Sequence, residues 1–566
     1  MADRVRKILF RDKDIPLYFT ALLGVLAFIY YPTFFNAPRS DWWETLYFFH
    51  TIYASPLPFQ WLNILNTDCI LHVSFRPLSH LVLYLQHSLF GANFFCIHLI
   101  NFFLYFLSLV LLYKLATAFV SQKLLVFIAV VFFSLLYSHF DIVSWTAHSY
   151  LILGFCLLLL GFLFYIRFLN TGLKRMLFLT VFLLLSGMLC YEAFIFWPLA
   201  VVFLAYTGSL IKGRQLTNAR AGLSWILVIA VTYFFYILIF LLTRSINTYA
   251  DSGAQTHTLI FQLVSIPRIY RTVLAVFFDI LYNGILVNIV PLFAYPPRIS
   301  FPSFNLLLGG FLSSHRPAII DMQILSGILL LIICWFIVYL SRRRKFDIIK
   351  SFLFFFFLLL TFSGTVFISK YYTNREYAYS LFQFRYHFVP SALIMLIASL
   401  FFERLGKLNK KIKAILCIIL VLITALNVYC ITSSILLESR QMATLNDMIV
   451  NIKRGISSKQ INEKDRVYLD NRMVNILPKM CWNPIIGRFM KGTYQWMFNK
   501  KEIKYFSNSP ESATWFINPR DFNLTKQLPQ GIFGESNKVG LNEDIQVISF
   551  IQCEDYIDLA SRKDIY

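Results

Sequence analysis

The sequence predicts an α-helical polytopic membrane protein with a small α/β domain at its C-terminal end. Three observations lead there. Hydrophobic residues fill 58% of the 566 positions and charged residues only 14%, where a soluble domain carries about a quarter charged residues. Apolar runs long enough to span a bilayer recur from the N-terminus to about residue 436, separated by short basic or polar turns. Beyond residue 437 the composition returns to that of a soluble domain.

The elements follow in order. MADRVRKILFRDKD is basic and leads into an apolar run too long for the core of a signal peptide, which makes that run a retained first span. Apolar runs lie at about residues 15–33, 92–113, 124–138, 148–166, 176–190, 193–208, 222–243, 322–340, 351–369, 387–403 and 414–436, against the ~20 residues a helical span requires. The shorter ones fit as closely bundled helices. Basic clusters set the orientation: Arg4 to Lys13, then Arg167 with Lys174 and Arg175, Lys212 with Arg214 and Arg220, Arg342 to Lys345, and Arg404 to Lys413. All fall on one side if the chain has about eleven spans, starts in the cytoplasm and ends outside. One further apolar run, Val273 to Phe293, would break this pattern if it crossed, so residues 244–320 read as an outer segment with interfacial or re-entrant helices.

This gives a transmembrane module over 1–436, with outer pieces at 34–90, 138–147 and 244–320, and an extracytoplasmic cap over 437–566. In the cap, RQMATLNDMIVNIKRGI has helical spacing, and RVYLD, IKYFS, ATWFIN and DIQVISFIQC are short β-branched and aromatic runs bounded by turn residues. The chain contains no phosphate-binding loop, no dinucleotide fingerprint and no internal repeat.

The net charge of +22 does not point to nucleic acid, because the basic residues form short clusters between apolar runs, and the partner these clusters face is the lipid bilayer. The nine cysteines have no metal-ligand spacing and most lie inside apolar runs; Cys481 and Cys553 in the cap could pair in an oxidising compartment.

Polar residues gather at the outer face, so function is expected there. Asp41 and Glu44 share a face if the first outer loop begins as a helix; they are then either a partly desolvated general base for a hydroxyl or two solvated loop acids. Arg76 precedes Pro77, which fixes a helix start, and its guanidinium is suited to a phosphate or to snorkelling at the interface. The turn YSHFDIVSWTAHSY brings together His139, Asp141, Trp145 and His148, which can ligate a metal, orient a hydroxyl or bond one another. Glu192 stands between two closely spaced spans, where a lone carboxylate is costly, and it must cap a helix or pair with an arginine. Arg385, Tyr386 and His387 open a span at the outer side, ready for an anionic headgroup or as an interfacial anchor.

These stretches resemble the GT-C glycosyltransferases of the protein O-mannosyltransferase and aminoarabinose-transferase kind, and above all the branch that carries tetratricopeptide repeats. FRPLSHLVLYLQHSLFGANFFCIHLIN is similar to that branch's Tyr-Arg-Pro-Leu, Leu-Phe-Gly and His-Leu-x-Asn stretch, here Arg76, Pro77, Leu78, Phe90, Gly91, His98 and Asn101. HFDIVSW resembles its His-x-Glu-x-x-x-Trp, with Asp141 in place of the glutamate. YEAFIFWP resembles its Lys-Glu-x-x-x-x-x-Pro, keeping Glu192 and Pro198, and FRYHFVP its Arg-Tyr-x-Tyr-x-Pro, keeping Arg385, Tyr386 and Pro390. The chain departs from the family in having Trp42 after Asp41, where a second acid is common, in having Leu136-Tyr137 before the second motif, and in lacking the repeats.

The resemblance implies a transferase that moves a sugar from a polyprenyl-phosphate donor to an acceptor hydroxyl on a glycolipid, glycan or protein, with inversion, at the non-cytoplasmic face. Asp41 would be the base, and Arg76 and Arg385, with Arg268 or Arg271, would meet the phosphate. Asp141 and His139 would position the acceptor or, as the alternative, hold a divalent metal together with Asp41; no cofactor is required. The compositional bias towards Phe, Ile and Lys, with no eukaryotic targeting tail, points to a bacterial inner membrane. Two other readings remain open: a polymerase or ligase of polysaccharide that uses polyprenyl carriers, and a lipid or glycan transporter. Transport is disfavoured because the two halves of the chain do not match and the polar residues gather at one face.

Overall fold

The computed structural model describes residues 15–36, 76–90, 93–207, 218–245, 346–374, 387–404 and 417–436, with isolated positions and four short strands further on. Among the described residues, six helices are long and apolar enough to cross a membrane, or seven if one bent pair counts as a single span. They fit a multi-pass membrane protein. The expected run at 322–340 lies almost wholly outside the described residues, whereas the other expected runs all carry helix.

Helix α1 (Ile15–Tyr30) passes into a 3-10 turn, Tyr31–Phe35. Helix α2 (Pro77–Phe90) starts at its proline, the residue whose missing N–H costs nothing at a first helical position. Its start is the one expected at Pro77, within the outer piece 34–90, and one face of it is buried. Helix α3 (Phe94–Phe119) is capped by Asn93, whose side chain accepts from the Cys96 N–H at 3.3 Å. Helix α4 (Lys123–Ser134) is followed by a 62° bend, after which come a turn at Tyr137–His139, helix α5 (Phe140–Ser144) and a turn at Thr146–His148.

Helices α6 (Ser149–Thr171) and α7 (Lys174–Cys190) form a hairpin. Its corner is Gly172, at φ 69°, a left-handed C-cap that a side chain would strain. The two helices approach closely through Gly154, Gly161 and Gly187: a Cβ added at Gly187 would stand 2.5 Å from Leu158 Cγ, and one at Gly161 2.8 Å from Leu184 Cδ2. After α7 the chain breaks into 3-10 turns at Glu192–Phe194 and Trp197–Ala200, the second carrying Pro198, before α8 (Val201–Thr207). Helices α9 (Asn218–Ser245), α10 (Phe346–Asn374), α11 (Phe388–Arg404) and α12 (Cys417–Leu436) complete the described helices.

Contacts show which helix ends lie together. At one end, the Asn36 carbonyl just beyond α1 accepts from His98 near the start of α3 at 3.1 Å. The turn after α4 reaches α12, where Asn427 Oδ1 accepts from the Tyr137 N–H at 2.7 Å and Ser434 Oγ lies 3.1 Å from the Tyr137 hydroxyl. Phe388, opening α11, packs on His139. At the other end, Phe19 of α1 meets Tyr113 and Phe127, Phe119 at the end of α3 meets Phe354 and Phe355 of α10, and Tyr165 of α6 bonds Ser224 of α9.

The outer surface is apolar. Phe28, Leu223, Phe178 and Val421 are 84%, 74%, 72% and 66% exposed, as suits helices facing lipid. Further along the chain, strands β1 (Val467–Tyr468), β2 (Phe506–Ser507), β3 (Trp515–Ile517) and β4 (Leu524–Thr525) form a sheet in the order β2-β1-β3-β4. The first two pairings are parallel and the last antiparallel. The first three strands fall within RVYLD, IKYFS and ATWFIN; the run DIQVISFIQC lies outside the described residues.

Candidate functional site

The described polar side chains cluster at the end of the bundle where α2, α3, α6 and α11 begin. The centre of the cluster is Arg76. Its Nε and Nη2 donate to the two carboxylate oxygens of Glu192, and its Nη1 donates to the Tyr150 hydroxyl at 3.0 Å. The Tyr191 ring lies 4.4 Å from the guanidinium carbon, and the Tyr150 ring 5.5 Å. Burial works against the Arg76 charge, and Glu192 more than offsets it, with smaller contributions from the two tyrosines, so the guanidinium is held protonated. Arg76 is 8% exposed, and a phosphate that reaches its fork has to displace Glu192.

One turn into α2, the His80 N–H donates to the Arg76 carbonyl at 3.3 Å. Burial, reinforced by the Arg76 charge, pushes the His80 imidazole down to about 3, so the ring is neutral at physiological pH. Further along α2, Gln86 Nε2 donates to Ser149 Oγ at 3.3 Å, which ties the helix to the start of α6. Between them runs an aromatic series: Trp145 and His148 have ring centres 4.6 Å apart, and His148 stands 5.9 Å from Tyr150.

Asn101 of α3 holds the same turn from the other side, donating to the carbonyls of Ile142 at 3.0 Å and Val143 at 2.7 Å. Asp141 lies in the first turn of α5 and is buried. His139 faces a separate environment. Its ring is enclosed by Phe133 and Phe388, and its Nδ1 lies 2.9 Å from the Tyr105 hydroxyl. Tyr105 also donates to the Ser134 carbonyl at 2.8 Å, so His139 Nδ1 carries the proton and donates to the tyrosine oxygen.

The fold thus brings Arg76, Glu192 and, through Tyr150, His148 into one cluster, and sets His139 in a neighbouring apolar pocket. Asp41, Glu44, Arg268, Arg271, Arg385 and Tyr386 lie outside the described residues. Among the described residues, no group of three His, Cys, Asp or Glu side chains is placed to hold a metal. Sequence reasoning missed Tyr150, Tyr191, His80 and Gln86. The spacing of Arg76, His80, Leu83 and His87 along one helical face was the available signal, since all of them are buried.

The chain matches no protein-family model and no curated protein sequence.

Proposed function

We propose that the protein is a membrane glycosyltransferase that takes a sugar from a polyprenyl-phosphate donor and passes it to an acceptor hydroxyl, with inversion at the anomeric carbon. The observation that supports this reading best is convergence. Arg76 with Asn101, Asp141, and Glu192 come from three separate stretches, each carrying one of the motifs that resemble GT-C enzymes, and all stand at one end of the bundle. An intramembrane or interfacial gathering of ionisable groups is costly to keep and marks a working face.

In this reading the polar end faces away from the cytoplasm. Lys123, Arg167, Lys174 and Arg175 stand at or towards the opposite helix ends, the distribution expected of a cytoplasmic face. About eleven spans then place the N-terminus inside and the region after residue 436 outside, as an α/β cap that includes β1 to β4. A bacterial inner membrane is the setting that fits the composition.

In the reaction, Asp41 accepts the proton of the acceptor hydroxyl as its oxygen attacks the anomeric carbon. The bond from that carbon to the phosphate oxygen breaks, and the polyprenyl phosphate leaves with the electron pair. Arg385, with Arg268 or Arg271, offsets the charge on the leaving phosphate. Arg76 joins them to the extent that a phosphate displaces Glu192 from its fork. Asp141 orients the acceptor. A divalent metal would draw on Asp41, Asp141 and His139; His139 is enclosed by aromatic rings with its Nδ1 bonded to Tyr105, which leaves at most Nε2 for such a role.

Mass spectrometry of the purified protein offered a panel of polyprenyl-phosphate sugars tests the reading. Release of free polyprenyl phosphate with one sugar is expected, and Asp41→Asn should slow that release by about 10² to 10⁴, the loss expected for a general base. If no donor in the panel is consumed while a labelled lipid crosses a reconstituted bilayer, the protein is a transporter.

A further inference from the structure

Helix α2 meets the end of the turn at residues 142–149 through the Gln86–Ser149 bond, and buried neutral polar groups without a partner stand on both sides of this seam. Ser144 Oγ, Thr146 Oγ1, Gln86 Oε1, Asn101 Oδ1 and His80 Nδ1 are all buried and have no hydrogen-bond partner among the described residues. Hydrogen bonds connect the residues that carry them. Asn101 holds the Ile142 and Val143 carbonyls next to Ser144, Gln86 holds Ser149 just beyond Thr146, and Tyr150 joins that turn to Arg76, from which His80 is one turn away. The rings of Trp145, His148 and Tyr150 lie in series along the same turn and into α6.

Native proteins leave few buried polar atoms unsatisfied, and a concentration of them in one place requires an explanation. The chemistry is specific. Arg76 is neutralised by Glu192, so the unpaired groups are hydroxyls that donate and accept, amide oxygens that accept and a neutral imidazole, with the Asp141 carboxylate and aromatic side chains nearby in the chain. That is the complement of a ring bearing many hydroxyls, which exchange hydrogen bonds in both senses while their C–H faces pack on aromatics. A seam sealed around unpaired atoms is also easy to part, because opening it removes no bond from those atoms and an entering hydroxyl supplies one.

We propose that the seam between α2 and the 142–149 turn binds the hydroxyl-bearing glycosyl ring of a sugar ligand, through neutral polar groups rather than charge. The proposal deepens the transferase reading and rests on it for the nature of the ligand. The ring belongs either to the donor or to a glycan acceptor, and the chemistry of the seam is the same for both.

The test uses the full-length protein in a zwitterionic, sugar-free detergent. Binding of n-octyl glucoside, galactoside and mannoside is measured below their micellar concentrations, with octyl phosphate and octanol as sugar-free probes. At least one octyl glycoside should bind more tightly than both controls, and Ser144→Ala and Thr146→Val should each weaken it about tenfold, the worth of one hydrogen bond. Because the deleted oxygens are unpaired, thermal unfolding of both variants without ligand should be unchanged or shifted upward. Equal glycoside binding by wild type and both variants overturns the proposal, as does a panel in which no glycoside exceeds the controls.

The donor assay separates the two readings. Donor turnover with no effect of either variant on glycoside binding or on the KM of either substrate leaves the transferase standing and removes the seam. Glycoside binding that the variants weaken, in a protein that consumes no donor, does the reverse. A raised KM for the lipid donor, or for a glycan acceptor, identifies which ring the seam holds.

Discussion

The two ends of the helical bundle are built on different principles. At the end where α1, α3, α4 and α10 meet, the contacts are rings against rings: Phe19 on Tyr113 and Phe127, Phe119 on Phe354 and Phe355. Regular helices run through to their termini and ring packing dominates the fit, with the Tyr165–Ser224 bond beside it. At the other end the helices give way to short turns at 137–139, 146–148, 192–194 and 197–200, and side chains bond backbone groups that regular helix would have satisfied internally. Asn101 on two carbonyls, Asn427 on the Tyr137 N–H and His98 on the Asn36 carbonyl are examples. The comparison teaches that irregular backbone is tolerated where side-chain amides and imidazoles replace the lost hydrogen bonds. Those same irregular turns carry the ionisable residues His139, His148 and Glu192.

Four single substitutions and one double variant test this contrast, from the largest expected effect to the smallest. Glu192→Ala leaves the Arg76 charge buried without its carboxylate and should cost about 3–5 kcal/mol in denaturation measured in mixed micelles. Arg76→Met combined with Glu192→Leu should cost far less than the single change. If single and double variants unfold alike, paired charge is not what holds the polar end together.

Gly187→Val probes shape, since its Cβ would stand 2.5 Å from Leu158 Cγ and 3.1 Å from the Gly154 carbonyl. Overpacking of this kind costs about 1–3 kcal/mol, and a variant as stable as wild type would mean that close approach of α6 and α7 is not what fixes the hairpin. Tyr105→Phe removes the donor to the Ser134 carbonyl and the acceptor for His139, with an expected loss of about 0.5–1.5 kcal/mol. A much larger loss would place His139 inside an extended network rather than in an isolated pair. Phe178→Leu, at a position 72% exposed, should stay within about 0.5 kcal/mol of wild type, and a larger change would argue that this face packs on a partner and not on lipid.

Much of the helical framework was legible in the sequence. Spans are long apolar runs, and the lipid requirement that every backbone group be satisfied within the segment makes such runs helical with little alternative. Pro77, Asn93 and Gly172 mark a helix start, an N-cap and a C-cap by local chemistry alone. Glu192 was also legible as a group in need of a partner, because an isolated carboxylate between two spans is too costly to leave alone. Which cation it meets was not, and nothing near Glu192 in the chain names Arg76, 116 positions away.

The tertiary structure alone decided that the guanidinium fork is filled by Glu192 and Tyr150 and that Tyr191 lies against its face. It alone set His139 among Phe133, Phe388 and Tyr105, apart from the acid two residues on. The physical reason is common to these cases. Apolar length and capping act over a few residues and are written locally, whereas ion pairs and aromatic contacts depend on how helices far apart in sequence come to lie side by side.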